Sequence, residues 1–133
     1  MGSFYDGPTG AFGKDRMLRK GADFSLLRAK GQDHRGHRLL FSWLPAPDGV
    51  SRLGLVVSKK YHRRAVHRNR ARRLMRECFR LTEGRFSQPV WAVLVARRGM
   101  SGQKLMGVQR ELLYHCHQAD LLAKKEGDDE DSR

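Results

Sequence analysis

Cysteine is scarce. Cys78 and Cys116 are the two cysteines in 133 residues, too few for a disulfide scaffold. Long apolar runs are missing too. None approaches the ~20 residues of a membrane span, and no short apolar run follows an N-terminal basic stretch as a secretory signal would require. Acids are few: 14 Asp and Glu stand against 27 Lys and Arg, a formal net charge of +13. Five of those acids (Glu126, Asp128, Asp129, Glu130 and Asp131) crowd into the last eight residues. Residues 1–125 therefore hold 26 bases against 9 acids, a net +17. A compact body of that charge repels itself, and an anionic partner relieves the repulsion. The hydrophobic share of 39% exceeds that of a disordered basic tail and suffices for a modest core. These features point to a soluble, cytoplasmic chain of one domain that binds a polyanion and has no membrane partner.

Residues 1–15, with Gly2, Gly7, Pro8, Gly10 and Gly13, read as a mobile arm. Residues 16–122 read as a single domain, and 123–133 as an acidic tail. Within the domain, Gly21 to Lys30 predicts a short helix with Phe24 and Leu27 on one face, stopped by Gly31. Arg38 to Leu44 alternates as a strand does, with Leu39, Phe41 and Trp43 on one side. Pro45 to Gly49 is a turn cluster. Arg52 to Ser58 predicts a second strand, with Leu53, Leu55 and Val57 opposite Gly54, Val56 and Ser58. Residues 66–82 form a strong helix. Val90 to Ala96 is an almost unbroken apolar strand, as expected when both faces are covered. Ser101 is placed to cap a last helix with the stripe Leu105, Val108, Leu112, Cys116, Ala119 and Ala123. The order implies an α+β fold of one sheet with helices packed on it.

The segment 59–85 contains eleven bases and two acids, Glu77 and Glu83. Turning residues 68–81 by about 100° each places Arg68, Asn69, Arg72, Arg73, Arg76 and Arg80 in one arc of roughly 140°. Ala71, Leu74, Met75, Cys78 and Leu81 fall in another arc of roughly 120°, with Phe79 at its border. One face can enter the core while the other presents guanidinium groups. Arg68–Arg72, Arg72–Arg76 and Arg76–Arg80 are like-charge pairs at i, i+4, each costing a few tenths of a kcal/mol. Almost every base is Arg, whose fork holds a phosphate by two hydrogen bonds.

Candidate catalytic groups are sparse. Asp15, Asp23, Asp33, Asp48, Glu77, Glu83, Glu111 and Asp120 are scattered over different elements, without the pairing that gathers two metals or poises a general base. His34 and His37 fall in a Gly-rich loop. His115, Cys116 and His117 are neighbours, and on a helix neighbours diverge by about 100°, so they do not converge on one metal. Cys78, Cys116 and Trp91 read as core. His62 and His67 flank the basic segment, either as further cations when protonated or simply as exposed residues.

Arg52-Leu-Gly-Leu-Val-Val-Ser-Lys-Lys60, followed by His67-Arg68-Asn69-Arg70-Ala71-Arg72-Arg73-Leu74-Met75-Arg76-Glu77-Cys78-Phe79-Arg80, resembles the RNR signature of the bacterial ribonuclease P protein family. Phe12 to Leu18, then Asp23-Phe24, resemble that family's N-terminal segment and first helix, and Val90 to Arg97 its last strand. The resemblance covers roughly residues 12–119.

It implies a small α/β sandwich in the order α-β-β(-β)-α-β-α, with one mainly antiparallel sheet and a left-handed β-α-β crossover. It implies an endoribonuclease subunit whose partners are ribonuclease P RNA, one protein per catalytic RNA, and precursor tRNA. The reaction removes the 5′ leader, and the RNA subunit carries out the hydrolysis. Mg2+ would be held chiefly by the RNA subunit and substrate. No catalytic or metal residue of the protein is implied. Lys59, Lys60, Arg63, Arg64, Arg68, Asn69, Arg70, Arg72, Arg73, Arg76 and Arg80 would bind RNA. Phe24, Arg28 and Ser42 would line a leader cleft. Arg28 stands where many relatives have a second aromatic, and Ser42 where some have Tyr. Such a cleft leans more on charge and less on stacking.

Two other classes use a basic amphipathic helix. One is a non-enzymatic RNA- or DNA-binding module, such as a ribosomal or helix-turn-helix protein, although a DNA recognition helix usually mixes Asn, Gln and Ser with Arg to read base edges. A peripheral membrane binder is poorly served by an apolar arc that holds Ala71 and Cys78 and no Trp.

Overall fold

The computed structural model describes residues 16–18 and 20–123. The expected arm (1–15) and all but the first residue of the expected acidic tail lie outside the described residues, as do Phe12 to Asp15 of the N-terminal resemblance. The element order is α1 (Gly21–Lys30), β1 (Gln32–Arg35), β2 (Leu39–Pro45), β3 (Arg52–Val56), α2 (Ala65–Glu83), β4 (Val90–Ala96), a 3-10 turn (Arg98–Met100) and α3 (Leu105–Gln118). This is an α+β fold with one mixed sheet in the order β1-β2-β4-β3. β1–β2 and β2–β4 pair antiparallel, while β3–β4 pair parallel. Parallel neighbours need a long connection, and α2 supplies it.

β4 explains the layering. Its burial is almost complete because its two faces meet two different cores. Val90, Ala92, Leu94 and Ala96 join Leu39, Phe41 and Trp43 of β2 in the main core beneath α2 and α3. Trp91 and Val93 face the other way and pack with Leu18, Leu27 and Leu44 beneath α1. Burying each such large side chain contributes about 1.5–3 kcal/mol. The uninterrupted apolar sequence of β4 is the direct consequence.

Gly31 ends α1 in extended backbone and donates its N–H to Leu27 O at 2.7 Å. Gly54 lies under α1. A Cβ there would stand 2.8 Å from both Cε1 and Cζ of Phe24, so the missing side chain is what lets the ring lie on the sheet.

Four local expectations are corrected. Residues 32–35 are a strand, so His34 is not in a loop. Its ring lies 6.1 Å from Phe41, and its Nε2 accepts a 3.4 Å hydrogen bond from Trp43 Nε1. The last helix begins after Lys104 rather than Ser101, because the 3-10 turn takes up the intervening residues. It also ends earlier. Asp120 adopts φ 59, Leu121 N–H returns to Cys116 O at 2.9 Å, and Leu121 rather than Ala123 enters the core. In α2 the inward face is Ala71, Met75, Cys78, Phe79 and Thr82. Phe79 is fully buried while Leu81 is 39% exposed. Thr82 can be buried because its hydroxyl donates to Cys78 O at 2.7 Å.

Candidate nucleic-acid interface

α2 has 19 residues, which makes it about 28 Å long at 1.5 Å per residue. Its inward stripe anchors it to the sheet and to α3. Asn69 and Arg73 stand exposed on the outer side, with Arg72, Arg76 and Arg80 half-buried beside them. Lys59, Lys60, Arg63 and Arg64 are exposed on the connection leading into the helix. The helix starts at Arg64 with no side-chain cap and no acid in its first turn. The positive end of the helix dipole therefore adds to the arginines instead of being offset.

The cations differ in what holds them. Arg80 is paired with Glu77, its Nε donating to Oε1 at 2.9 Å. Arg72 Nη1 donates to Asn69 Oδ1 at 2.8 Å, which orients both side chains outward. Among the described residues, Lys59, Lys60, Arg63, Arg64, Arg73 and Arg76 have no side-chain hydrogen bond or ion pair. Two of the residues that the resemblance gives to RNA are tied to backbone carbonyls instead of standing in the outward row. Arg68 folds back, its Nη1 donating to His62 O at 2.9 Å and Arg63 O at 2.6 Å. Arg70 reaches sideways to Gln103 O, 3.2 Å away, at the entry to α3. Arg68 thus stitches the incoming connection, and the outward row is Asn69, Arg72, Arg73, Arg76 and Arg80.

His62 and His67 stack with centroids 4.0 Å apart. Desolvation first, then the charges of His67, Arg64, Arg63 and Arg68, hold the His62 pKa below its ordinary value. Its charge therefore arrives at lower pH than an isolated imidazole's would.

The second feature is a cleft of about 280 Å³ between α1 and the sheet. Phe24, Leu27 and Arg28 line it from α1; Asp33, Leu40, Ser42, Val56, Val93 and Val95 line it from the strands. Phe24, Arg28 and Ser42, which the resemblance would give to a leader cleft, line this one cavity. Asp33 was not singled out as a cleft residue. Its position follows from the β1–β2 register, where it pairs with Ser42. A larger hollow of about 510 Å³ opens where β3 and β4 end, with Lys60, Tyr61, Arg97 and Arg98 on its walls. Arg97 and Arg98 extend the cationic surface, and their only sequence signal was a basic pair directly after the apolar strand.

The carboxylates are engaged singly. Glu83 pairs with Arg16 and Asp48 with Arg52. Glu111 accepts from the N–H groups of Arg38 and Leu39 at 2.9–3.1 Å. Among the described residues no three His, Cys, Asp or Glu side chains gather to hold a metal ion. His115 and Cys116 point inward while His117 is exposed. Burial pushes both thiols up to about 12, so Cys78 and Cys116 act as small core residues. No helix among the described residues is long and apolar enough to cross a membrane.

Comparison with known proteins agrees with this geometry. The family profile described as Ribonuclease P matches residues 12–120. The ribonuclease P protein component of Pelotomaculum thermopropionicum is 33% identical over 105 residues, covering 79% of this chain and 93% of that one. That of Nitrosomonas eutropha is 37% identical over 108 residues, covering 80% and 88%. The RNase P protein of Thermotoga maritima superimposes with a TM-score of 0.66 at 27% identity, over 74% of this chain and 93% of that one. That of Staphylococcus aureus gives a TM-score of 0.71 at 24% identity, over 80% and 97%, and so supports the fold alone. With its arginine-faced helix, its cleft beneath α1 and these relatives, the chain belongs to the ribonuclease P protein family.

Proposed function

We propose that this chain is the protein subunit of ribonuclease P and acts in tRNA 5′ maturation by gripping the catalytic RNA and the leader of precursor tRNA. The observation that carries the reading is the outward row of α2, where Arg73 and Arg76 have no partner among the described residues. Guanidinium groups such as these two, with no internal carboxylate to satisfy them, gain most from phosphates. Lys59, Lys60, Arg63, Arg64, Asn69, Arg72 and Arg80 extend that surface. Arg68 and Arg70 shape the connections around it and contribute charge.

Hydrolysis belongs to the RNA subunit in this reading. Water attacks the phosphorus at the leader junction, the bond to the leader's 3′ oxygen breaks, and the mature tRNA keeps a 5′ phosphate. Mg2+ supplies the charge stabilisation there, held chiefly by the RNA subunit and substrate. The protein positions the leader in the Phe24–Arg28–Ser42 cleft and screens repulsion between the two RNAs, one protein per catalytic RNA, in the cytoplasm. The scattered, singly engaged carboxylates support this division of labour.

The test is reconstitution with ribonuclease P RNA and precursor tRNA at low magnesium. The expected result is faster 5′ cleavage than RNA alone gives, and no cleavage by protein alone. Equal rates with and without the protein would refute the reading.

A further inference from the structure

The cleft beneath α1 contains a carboxylate in a place where a polyanion is to lie. Asp33 is exposed on the edge strand β1, directly across from Ser42 on β2. Both line the cleft with Phe24 and Arg28. Ser42 Oγ donates to Asp33 Oδ1 at 2.6 Å. One carboxylate oxygen is thereby fixed, and the other accepts nothing from the described residues.

A carboxylate within a Debye length of RNA phosphates, about 8 Å at physiological ionic strength, weakens binding unless it makes a hydrogen bond that offsets the repulsion. The chemistry of that bond is restricted, because an ionised carboxylate only accepts hydrogen bonds. Adenine and cytosine present exocyclic amines, and guanine presents an amine beside its N1–H. Uracil has one ring N–H on that edge, flanked by two carbonyl oxygens that repel an approaching carboxylate. The remaining parts of a base site are in place. Phe24 supplies a ring, Arg28 a cation at the rim, and the valines of β3 and β4 an apolar floor. A cleft of about 280 Å³ suits one nucleotide rather than a stacked run.

We propose that Asp33, oriented by Ser42, is a specificity residue of the leader cleft, favouring a leader nucleotide whose base carries an amine and disfavouring uracil. The inference rests on the assignment of this cleft to the leader. Ser42 is small enough to leave the carboxylate reachable, and Arg28 puts a cation on the wall of the same cleft.

The experiment uses the reconstituted holoenzyme and precursor tRNAs in which each leader position in turn is changed to uracil. Substrate affinity and the single-turnover cleavage rate at saturation are measured separately. At one position uracil should weaken binding by roughly fivefold, the low end of what one good base contact gives, with the saturated rate unchanged. Asp33→Asn keeps an oxygen to accept from Ser42 and adds a donor, so it should erase or invert the preference at that position only. Phe24→Ala should weaken every base there alike. A uniform shift of all leaders in Asp33→Asn would assign Asp33 a merely structural role and overturn the proposal, as would a wild type indifferent to uracil everywhere. If Phe24→Ala leaves the affinity difference between leader-bearing and leaderless tRNA untouched, the cleft assignment itself fails, and the proposal with it.

Discussion

Phe79→Ala and Leu81→Ala together test how α2 sits on the sheet. Helical projection puts Leu81 in the inward arc and Phe79 at its edge. In the structure Phe79 is 0% exposed and packs edge-on against Phe86 at 5.6 Å, whereas Leu81 is 39% exposed. Truncating a fully buried Phe costs about 3–5 kcal/mol, because the missing transfer energy is joined by a cavity the neighbours fill only in part. Domains of this size have about 5–15 kcal/mol in total, so Phe79→Ala removes roughly a fifth or more. Leu81 forfeits only part of its burial, about 1 kcal/mol. Urea denaturation followed by far-UV circular dichroism reads both, and at constant slope the midpoint shifts should differ severalfold. If Leu81→Ala were the more damaging, α2 would be rotated from its observed setting, and the identity of the outward arginines would change with it.

Three further outcomes follow from particular side chains. His115 is buried, with Nε2 3.5 Å from Glu111 Oε2 and its ring 6.3 Å from His34. Burial holds its pKa below the ordinary value despite Glu111, with His34 lowering it further. The unfolded chain therefore takes up the proton first, and this stability, full above about pH 6.5, is lost as pH falls; the urea midpoint of His115→Leu should decline less between pH 7 and 5.5 than that of wild type. Cys78 and Cys116, with thiols pushed up to about 12, should resist a thiol reagent at pH 8 in the native protein and react at once in urea; rapid native labelling would contradict their burial. Gly54→Val should drive the Phe24 ring off the sheet, costing about 1–3 kcal/mol of overpacking and weakening leader-bearing precursor tRNA while leaving affinity for the RNA subunit unchanged in a filter-binding assay.

The elements legible in the sequence were those whose side chains answer to one neighbour or to two. β4 is apolar throughout because both its faces are covered. α2 is two-sided because one side meets a core and the other does not. β1 was illegible for the opposite reason: Gln32-Asp-His-Arg35 pairs on one edge and is largely exposed, so no apolar alternation marks it. Missing β1 also hid Asp33, since its place in the cleft exists only through its register with Ser42. The folding back of Arg68 and the reach of Arg70 depend on where backbone carbonyls of the 62–63 connection and of Gln103 lie, which helical projection does not contain. Phe79 and Leu81 exchange places because projection fixes relative angles around a helix but not which angle faces the sheet. Phe24, Arg28 and Ser42 line one cavity because α1 crosses β2 and β4 on the face away from α2.

The most direct test of the account is the salt dependence of binding to ribonuclease P RNA by wild type and by the triple variant Arg72→Ala, Arg73→Ala, Arg76→Ala. Removing one arginine–phosphate interaction should flatten the plot of log affinity against log salt by about 0.7–0.9. Removing three should flatten it by roughly 2–3 while the urea midpoint stays within about 0.5 kcal/mol of wild type. An unchanged slope, or a variant that fails to fold, would contradict the claim that α2 turns its outward arginines toward RNA.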